Sequence, residues 1–284
     1  MTITRRALLT SLPLTGFSAW ADSGRDRSFI TSDGLRLHYL EAGTGPMTLV
    51  FIPGWLMPAR IFDQQLSELS RDYRVLVLDP RGQGQSKAQA HQLDAASRAR
   101  DIDELLRHAQ VKDHVLVGWS LGVMEVLEHS VRHRRGDLRA LVLVDNSIGM
   151  GRPPAAATGK IQRPVENEAF RAYVKRFAAG MFKAPPPPGW LEMIEKSATQ
   201  LPPKAAWALL NKPYHRDFYK KAVLDASFPI WYAITRQFED QSIELLQTQP
   251  HASATVFDQA GHALFVDRAD LFNQGLRQFL ERLR

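Results

Sequence analysis

The sequence predicts an α/β protein with a mostly parallel central sheet flanked by helices. Three runs, "RVLVLD", "HVLVGW" and "LRALVLVD", are apolar on both faces, as expected for strands covered by helices on both sides. The segments between these runs have helical composition. A chain of 284 residues with 44% hydrophobic and 23% charged residues has enough apolar material for a sizeable core. The absence of cysteine excludes disulfides, thiolate chemistry and cysteine-bound metals.

The first 21 residues have the features of an export signal. Arg5 and Arg6 precede an apolar stretch, and Ala19-Trp20-Ala21 fits a small-x-small cleavage pattern. The arginine pair resembles a twin-arginine signal, although a general secretory signal is also compatible with it. We therefore expect a periplasmic protein, the alternative being an uncleaved N-terminal helix of a cytosolic protein. No other apolar run reaches the ~18 residues needed to span a bilayer, so no stable membrane anchor is expected.

The elements of the first half follow one another along the chain. Two alternating strands are expected around Asp33-Gly34. After them we predict a buried strand over 48–52, a helix over 61–69, the strand "YRVLVLD", a polar helix over 93–109, a strand over 115–117, a helix to about 133, and the strand "LRALVLVD".

The alternation of strands and helices lapses between residues 148 and 227. This region is rich in proline and aromatic residues, and we predict a helical cap inserted into a core domain formed by residues 22–147 and 228–284. We expect the aromatic underside of the cap to shape an apolar pocket, with Trp190, Trp207, Tyr214, Phe218 and Tyr219 as candidates. After the cap we predict the strand "PIWYAI", a helix near 242–247, the strand "ATVFDQAGH" and an amphipathic helix over 269–284.

The candidate nucleophile is Ser120, within Gly118-Trp119-Ser120-Leu121-Gly122. The G-x-S-x-G pattern alone is common, but here an apolar strand directly precedes it and a helix follows. A serine on such a strained turn needs glycine neighbours, and the helix start directs N–H groups toward a developing negative charge. The alternative is a solvated serine at an ordinary strand-to-helix junction.

His262 is the strongest candidate among nine histidines for the base, because it follows the last predicted strand. Together these residues resemble the α/β-hydrolase fold family over nearly the whole chain. The resemblance implies that residues 118–122 form the nucleophile elbow and that the Trp55 and Leu121 N–H groups form an oxyanion hole. Proline stands at position 53, where the family usually has histidine before glycine and an aromatic residue.

The acid of the implied triad is open. The family usually places an aspartate after the seventh strand, where this chain has Phe238. Asp145, which ends "LVLVD" after the sixth strand, is the favoured replacement, with Glu239 or Asp240 as the alternatives. An aspartate at the end of a strand also commonly bonds the backbone of the next loop.

The resemblance implies a serine hydrolase that cleaves a small, apolar carboxylic ester, thioester or lactone through an acyl-enzyme, without cofactor or metal. One alternative is a cofactor-free haloperoxidase or perhydrolase. The other is a catalytically decayed hydrolase that binds a ligand or partner, suggested by Phe238 at the usual acid position. The bond cleaved and the oligomeric state stay open.

Three further patterns carry no functional prediction. Gly82-x-Gly84 lacks the third glycine of a dinucleotide loop. His129 and His133 are spaced as metal ligands can be, but no glutamate follows His129, and we expect a solvated helix face. The basic run over 131–139 lacks the accompanying pattern of a nucleic-acid site.

Overall fold

The central sheet contains eight strands in the described part of the chain. The computed structural model describes residues 24–133, 135–153, 163–211 and 215–283, so the predicted export signal over 1–21 and Tyr214 lie outside the described residues. The strands are β1 (Arg25–Ile30), β2 (Arg36–Ala42), β3 (Thr48–Ile52), β4 (Arg74–Leu78), β5 (His114–Trp119), β6 (Leu138–Val144), β7 (Ile230–Ile234) and β8 (Ala252–Val256). Their spatial order is β1-β2-β4-β3-β5-β6-β7-β8.

The pairs β4–β3, β3–β5, β5–β6, β6–β7 and β7–β8 are parallel, and among the described strands the β1–β2 and β2–β4 pairs alone are antiparallel. Strands β3 and β5 are buried along their whole length, which explains their continuous apolar sequence. The prediction of a mostly parallel α/β sheet is confirmed.

Helices cover both faces of the sheet. They are α1 (Asp63–Leu69), α2 (Ala95–His108), α3 (Leu121–His133), α4 (Asn167–Gly180), α5 (Trp190–Ala198), α6 (Pro203–Ala208), α7 (Arg216–Leu224), α8 (Glu239–Thr248), α9 (Leu264–Asp267) and α10 (Ala269–Glu281). Short 3₁₀ turns occupy Ala59–Phe62, Ala90–Gln92 and Arg236–Phe238. One apolar cluster contains residues of α1 and α10, and a second, on the other face, contains residues of α2, α3 and α8.

Three helices begin at other residues than predicted, and local backbone contacts or conformation explain two of these differences. Helix α2 begins at Ala95 because the Asp94 carboxylate accepts a hydrogen bond from the Ser97 N–H at 2.9 Å and thereby caps its N-terminus. Helix α3 begins at Leu121, since Ser120 has a left-handed backbone with φ of 54°. Helix α8 is longer than predicted and starts at Glu239.

In the parts of the chain between β6 and β7 that the structure describes there are four helices, α4 to α7. They contribute to a third apolar cluster that includes Phe170 and Trp207, and this cluster also contains Trp55 and Leu56 from the loop after β3. The inserted helices therefore pack directly onto the loop in which the oxyanion donor is predicted.

The expectation of a solvated face at His129 is wrong. The His129 side chain is fully buried and stacks on the His133 ring at 5.1 Å, while His133 is partly exposed. Neither ring nitrogen of His129 has a hydrogen-bond partner among the described residues. Burial is the main cause that lowers the pKa of His129 to about 3, so the ring is neutral at ordinary pH.

The strand register places the carboxyl ends of four neighbouring strands, β3, β5, β6 and β7, at one edge of the sheet. Ile52 pairs with Gly118, Trp119 with Val144, and Val144 with Ala233. The loops that follow these strands therefore meet, as in other open parallel sheets that bind ligands at this edge. No helix in the described part of the chain is long and apolar enough to cross a membrane.

Candidate active site

Ser120 lies on a sharp turn between β5 and α3. Its backbone has φ of 54°, a conformation that L residues rarely adopt, and its N–H donates to the Val144 carbonyl at 3.0 Å. The turn needs glycine on both sides. A Cβ at Gly118 would stand 2.4 Å from the Gly122 carbonyl oxygen, and one at Gly122 would stand 2.2 Å from the Ile52 carbonyl oxygen. Such strain at a half-buried serine is typical of functional sites.

Asp145 and His262, which are 117 residues apart in the chain, meet at the same edge of the sheet. The His262 Nδ1 atom lies 2.8 Å from Asp145 Oδ2. The Asp145 side chain is fully buried, and 25% of the His262 side chain is exposed. The His262 carbonyl accepts a hydrogen bond from the Trp119 indole N–H at 2.9 Å, so the loop that contains His262 is bonded to the residue before Ser120. The Trp119 and His262 rings lie 5.3 Å apart, and the Nδ1 side of the imidazole is directed to the Asp145 carboxylate.

Asp145 accepts three further hydrogen bonds, all from the loop after β7. Thr235 donates to Oδ1 through both its N–H and its hydroxyl, each at 2.7 Å, and the Gln237 side chain donates to Oδ2 at 3.1 Å. The loop in which an acid was expected therefore supplies donors to an acid from the neighbouring strand. Sequence reasoning missed Thr235 and Gln237, and the only signal was the lack of an acid in that loop.

The alternative acids occupy a different position. Glu239 begins α8, its side chain is about half exposed, and its Oε2 lies 3.6 Å from Arg236 Nη1. Asp240 is exposed on the same first turn. The structure brings Asp145, and neither of these residues, to hydrogen-bond distance of His262.

Two further residues brace the serine turn. The Asn146 side chain donates to the Ser120 carbonyl at 2.6 Å, and the Tyr232 hydroxyl donates to the Asn146 carbonyl at 2.7 Å. Burial, followed by the nearby charge of Asp145, raises the pKa of Tyr232 well above its usual value. Tyr232 therefore stays protonated and keeps its role as a donor.

The loop after β3 runs beside Ser120. A Cβ at Gly54 would stand 3.0 Å from the Ser120 Cβ, so the backbone of this loop passes directly against the serine. The predicted oxyanion donors are the N–H groups of Trp55, in this loop, and Leu121, the first residue of α3. Within the described residues neither N–H has a hydrogen-bond acceptor.

A cavity of about 420 Å³ opens beside Ser120. The part of its wall formed by α3 shows helical spacing, with Leu121, Met124, Glu125 and Glu128 on one face. The remaining lining residues are Leu93, Asp94, Ala95, Arg98, Asn146, Ala208, Leu209, Leu210, Asn211 and Tyr219. A larger groove of about 920 Å³, near Ser130 and Pro229, contains none of the predicted catalytic or oxyanion residues.

The cavity is less aromatic than expected. Of the candidate cap aromatics that the structure describes, only Tyr219 lines it. Trp207 is buried and stacks on Trp55 at 4.8 Å, Trp190 packs into the core, and Phe218 lines the larger groove. Ala208, Leu209 and Leu210, from the chain between β6 and β7, line the cavity instead. The Arg98–Glu125 ion pair, with Nε 2.6 Å from Oε1, adds a charged wall.

No group of three or more histidine, aspartate or glutamate side chains in the described ranges is arranged to hold a metal ion. The arrangement instead supports acid–base and nucleophilic chemistry. A hydroxyl on a strained turn and an imidazole paired with a buried carboxylate are parts that acyl transfer requires, and the Trp55 and Leu121 N–H groups stay the predicted oxyanion donors.

Comparison with known proteins identifies related sequences and folds. Residues 49–274 match the model of the alpha/beta hydrolase family. The chain is 26% identical over 278 residues to the pimeloyl-[acyl-carrier protein] methyl ester esterase of Vibrio atlanticus, covering 87% of this chain and 98% of that protein. It is 36% identical over 118 residues to a non-heme haloperoxidase of Rhodococcus erythropolis, but this match spans only 41% of this chain and 43% of that protein.

Solved structures share the fold at low sequence identity. An esterase from a Rhodococcus species aligns with a TM-score of 0.76 and 20% identity, covering 91% of this chain and 99% of that chain. A bromoperoxidase from Bacillus anthracis aligns with a TM-score of 0.75 and 18% identity, covering 90% of this chain and 100% of that chain. At these identities the likeness concerns the fold alone.

Proposed function

The chain belongs to the alpha/beta hydrolase family, and from this membership we propose that it is a serine hydrolase that cleaves a small carboxylic ester, thioester or lactone. The observation that carries the proposal is the 2.8 Å contact between His262 Nδ1 and the buried Asp145, at the sheet edge that also holds Ser120. Similarity to a methyl ester esterase over nearly the whole chain supports the ester as substrate class.

In the proposed acylation step, the Ser120 hydroxyl oxygen attacks the carbonyl carbon while His262 Nε2 takes its proton. Asp145 holds the Nδ1–H side of the ring and stabilises the imidazolium that forms. The oxyanion accepts hydrogen bonds from the Trp55 and Leu121 N–H groups. His262 then returns the proton to the leaving alcohol, and the acyl group stays on Ser120.

Deacylation repeats the sequence with water. His262 removes a proton from water, the resulting hydroxide attacks the acyl carbon, and the same two N–H groups hold the second oxyanion. Collapse of this intermediate returns the proton from His262 to Ser120 Oγ and releases the carboxylic acid. Each lost oxyanion donor would cost about 3 kcal/mol of transition-state stabilisation.

The cavity favours a small substrate. Its volume of about 420 Å³ is at the lower end for small-molecule sites, and Leu121, Met124 and Leu209 give it an apolar part. Esters with short acyl or alcohol chains therefore fit beside Ser120, and we expect p-nitrophenyl butyrate to be hydrolysed.

The test combines turnover with active-site labelling. The purified protein should hydrolyse p-nitrophenyl butyrate and react with a fluorophosphonate probe at Ser120, and Ser120→Ala should lose both activities. Ser130→Ala is the matched control, because Ser130 lies on α3, the helix that begins directly after Ser120, and its hydroxyl bonds only the Leu127 carbonyl in the described contacts. Labelling elsewhere, or full turnover by Ser120→Ala, would overturn the proposal.

A second candidate reaction is perhydrolysis, favoured by the similarity to a non-heme haloperoxidase. Hydrogen peroxide would replace water in deacylation, giving a peracid and free Ser120, and the peracid would oxidise bromide. Bromination that requires both acetate and peroxide, and that Ser120→Ala abolishes, would support it. Ester hydrolysis without any bromination would restrict the function to hydrolysis.

A further inference from the structure

Leu56, directly after the predicted oxyanion donor Trp55, has a strained backbone. Its φ is 62°, in the left-handed region, and its side chain is buried with 1% exposed. A non-glycine residue in this region costs about 1–3 kcal/mol and persists only where its surroundings enforce it. The contacts that hold Leu56 therefore also determine the direction of the adjoining peptide groups.

Gln83, from the loop after β4, contacts the backbone on both sides of Trp55. Its amide nitrogen donates to the Gly54 carbonyl at 3.1 Å and to the Met57 carbonyl at 3.2 Å. Its amide oxygen accepts from the Leu56 N–H at 2.8 Å. The side chain is fully buried, and all its described polar contacts go to this one loop.

The planarity of the peptide bond makes the first of these contacts informative. In a trans peptide the carbonyl oxygen and the N–H hydrogen point in opposite directions. A Gln83 side chain that binds the Gly54 oxygen therefore directs the Trp55 N–H away from Gln83. Rotation of this peptide would break the Gln83 bond and leave buried polar groups unpaired.

The cap holds the same loop from the other side. The Ser197 hydroxyl, on α5, donates to the Leu56 carbonyl at 2.9 Å and accepts from the Gly84 N–H at 3.0 Å. The Trp55 indole N–H donates to the Ala206 carbonyl, on α6, at 2.6 Å. Ser197 thus links α5, the loop after β3 that contains Trp55 and Leu56, and the loop after β4 that contains Gln83.

We propose that Gln83 and Ser197 are positioning residues that hold the Trp55 N–H in the direction needed for an oxyanion. The proposal rests on the proposed serine-hydrolase function. It also explains how the loop is braced in a chain with proline at position 53, because Gln83 and Ser197 fix the backbone without any contribution from that side chain.

The experiment measures kcat and KM for p-nitrophenyl butyrate in four variants. Gln83→Met removes the polar contacts at similar length, and Ser197→Ala removes the hydroxyl while Ser197→Thr keeps it. Gln85→Met is the matched control, since Gln85 lies in the same loop, is exposed, and directs its side chain to Asp26 and His38. Thermal unfolding of each variant checks that it folds.

The proposal predicts a loss in kcat with little change in KM, because the oxyanion forms only in the transition state. We expect kcat to fall about 10–100-fold in Gln83→Met, short of the ~10²–10³-fold that complete loss of one donor causes. Ser197→Ala should fall several-fold, Ser197→Thr should recover, and Gln85→Met should match the wild type.

The outcomes separate this proposal from the function on which it rests. An inactive wild-type protein that also resists the fluorophosphonate would refute the proposed function itself. An active wild type with unchanged kcat in Gln83→Met, or a change in KM alone, would refute the positioning role. If Gln83→Met does not fold, the Ser197→Ala and Ser197→Thr pair decides: equal kcat values overturn the proposal, and a loss that only threonine restores supports it.

Discussion

Replacing Asp145 with asparagine should stop catalysis by changing the tautomer of His262. The two donors from Thr235 converge on Asp145 Oδ1, so the asparagine oxygen is expected to take that position. The NH₂ group then faces His262 Nδ1, where Oδ2 stood at 2.8 Å. To avoid opposing two donors, His262 must accept at Nδ1 and carry its proton on Nε2. That nitrogen can then no longer take the proton of Ser120.

The expected loss is large because the general base is lost while the fold is kept. By analogy with the same substitution in serine proteases, kcat should fall about 10⁴-fold. This corresponds to about 5.5 kcal/mol of transition-state stabilisation at ~1.36 kcal/mol per tenfold change. The KM should change little, since Asp145 is buried behind the imidazole and does not line the cavity.

The assay is steady-state hydrolysis of p-nitrophenyl butyrate, with circular dichroism to confirm folding. Glu239→Gln is the matched control, because it also converts a carboxylate to an amide but at a half-exposed residue that pairs with Arg236. We expect its kcat to stay within about twofold of the wild type. Near-full activity of Asp145→Asn would refute this reasoning, and a large loss in Glu239→Gln would transfer the acid role to that residue.

Three further predictions concern stability, selectivity and processing. Because the folded-state pKa of His129 is lowered to about 3 from an ordinary 6.5, its stabilising contribution is present above pH 6.5 and lost as pH falls toward 3. When the pH falls from 7.5 to 5.0, the free energy of unfolding measured in urea titrations should therefore drop by about 2 kcal/mol less in His129→Leu than in the wild type. Equal drops in the two proteins would contradict this. Leu209→Trp, which fills the cavity, should raise KM for p-nitrophenyl hexanoate about tenfold or more and leave the acetate ester nearly unchanged; a uniform effect on both esters would place the substrate elsewhere. We propose export through the first 21 residues, so N-terminal sequencing of protein from the cell envelope should begin at Asp22, whereas an intact Met1 would overturn the proposal.

The fold was largely predictable because its central strands are buried on both faces. The sequences of β4, β5 and β6 are continuous apolar runs, which predict burial on both faces. The glycines around Ser120 predict the turn between strand and helix. Local patterns of this kind depend on neighbours in the chain. They can therefore be read from one sequence.

The surroundings of the site depend on contacts between distant segments. Thr235 and Gln237 are ordinary loop residues until the strand register brings them to Asp145, which precedes them by about 90 positions. His129 was expected to be solvated because polar residues on a helix usually are, but the packing around α3 buries it. Neither result follows from the spacing of residues along the chain.

Because Asp145 follows β6, both Ser120 and Asp145 precede the inserted helices in the chain. Ser120 and Asp145 lie in one continuous segment that ends before the inserted helices begin. An acid after β7 would instead be separated from the serine by the whole insertion. Exchanging helices α4 to α7 for those of a relative should therefore alter which molecules are admitted while Ser120 and Asp145 keep their mutual geometry. By the positioning proposal above, the exchanged helices must also supply a hydroxyl where Ser197 now bonds the Leu56 carbonyl.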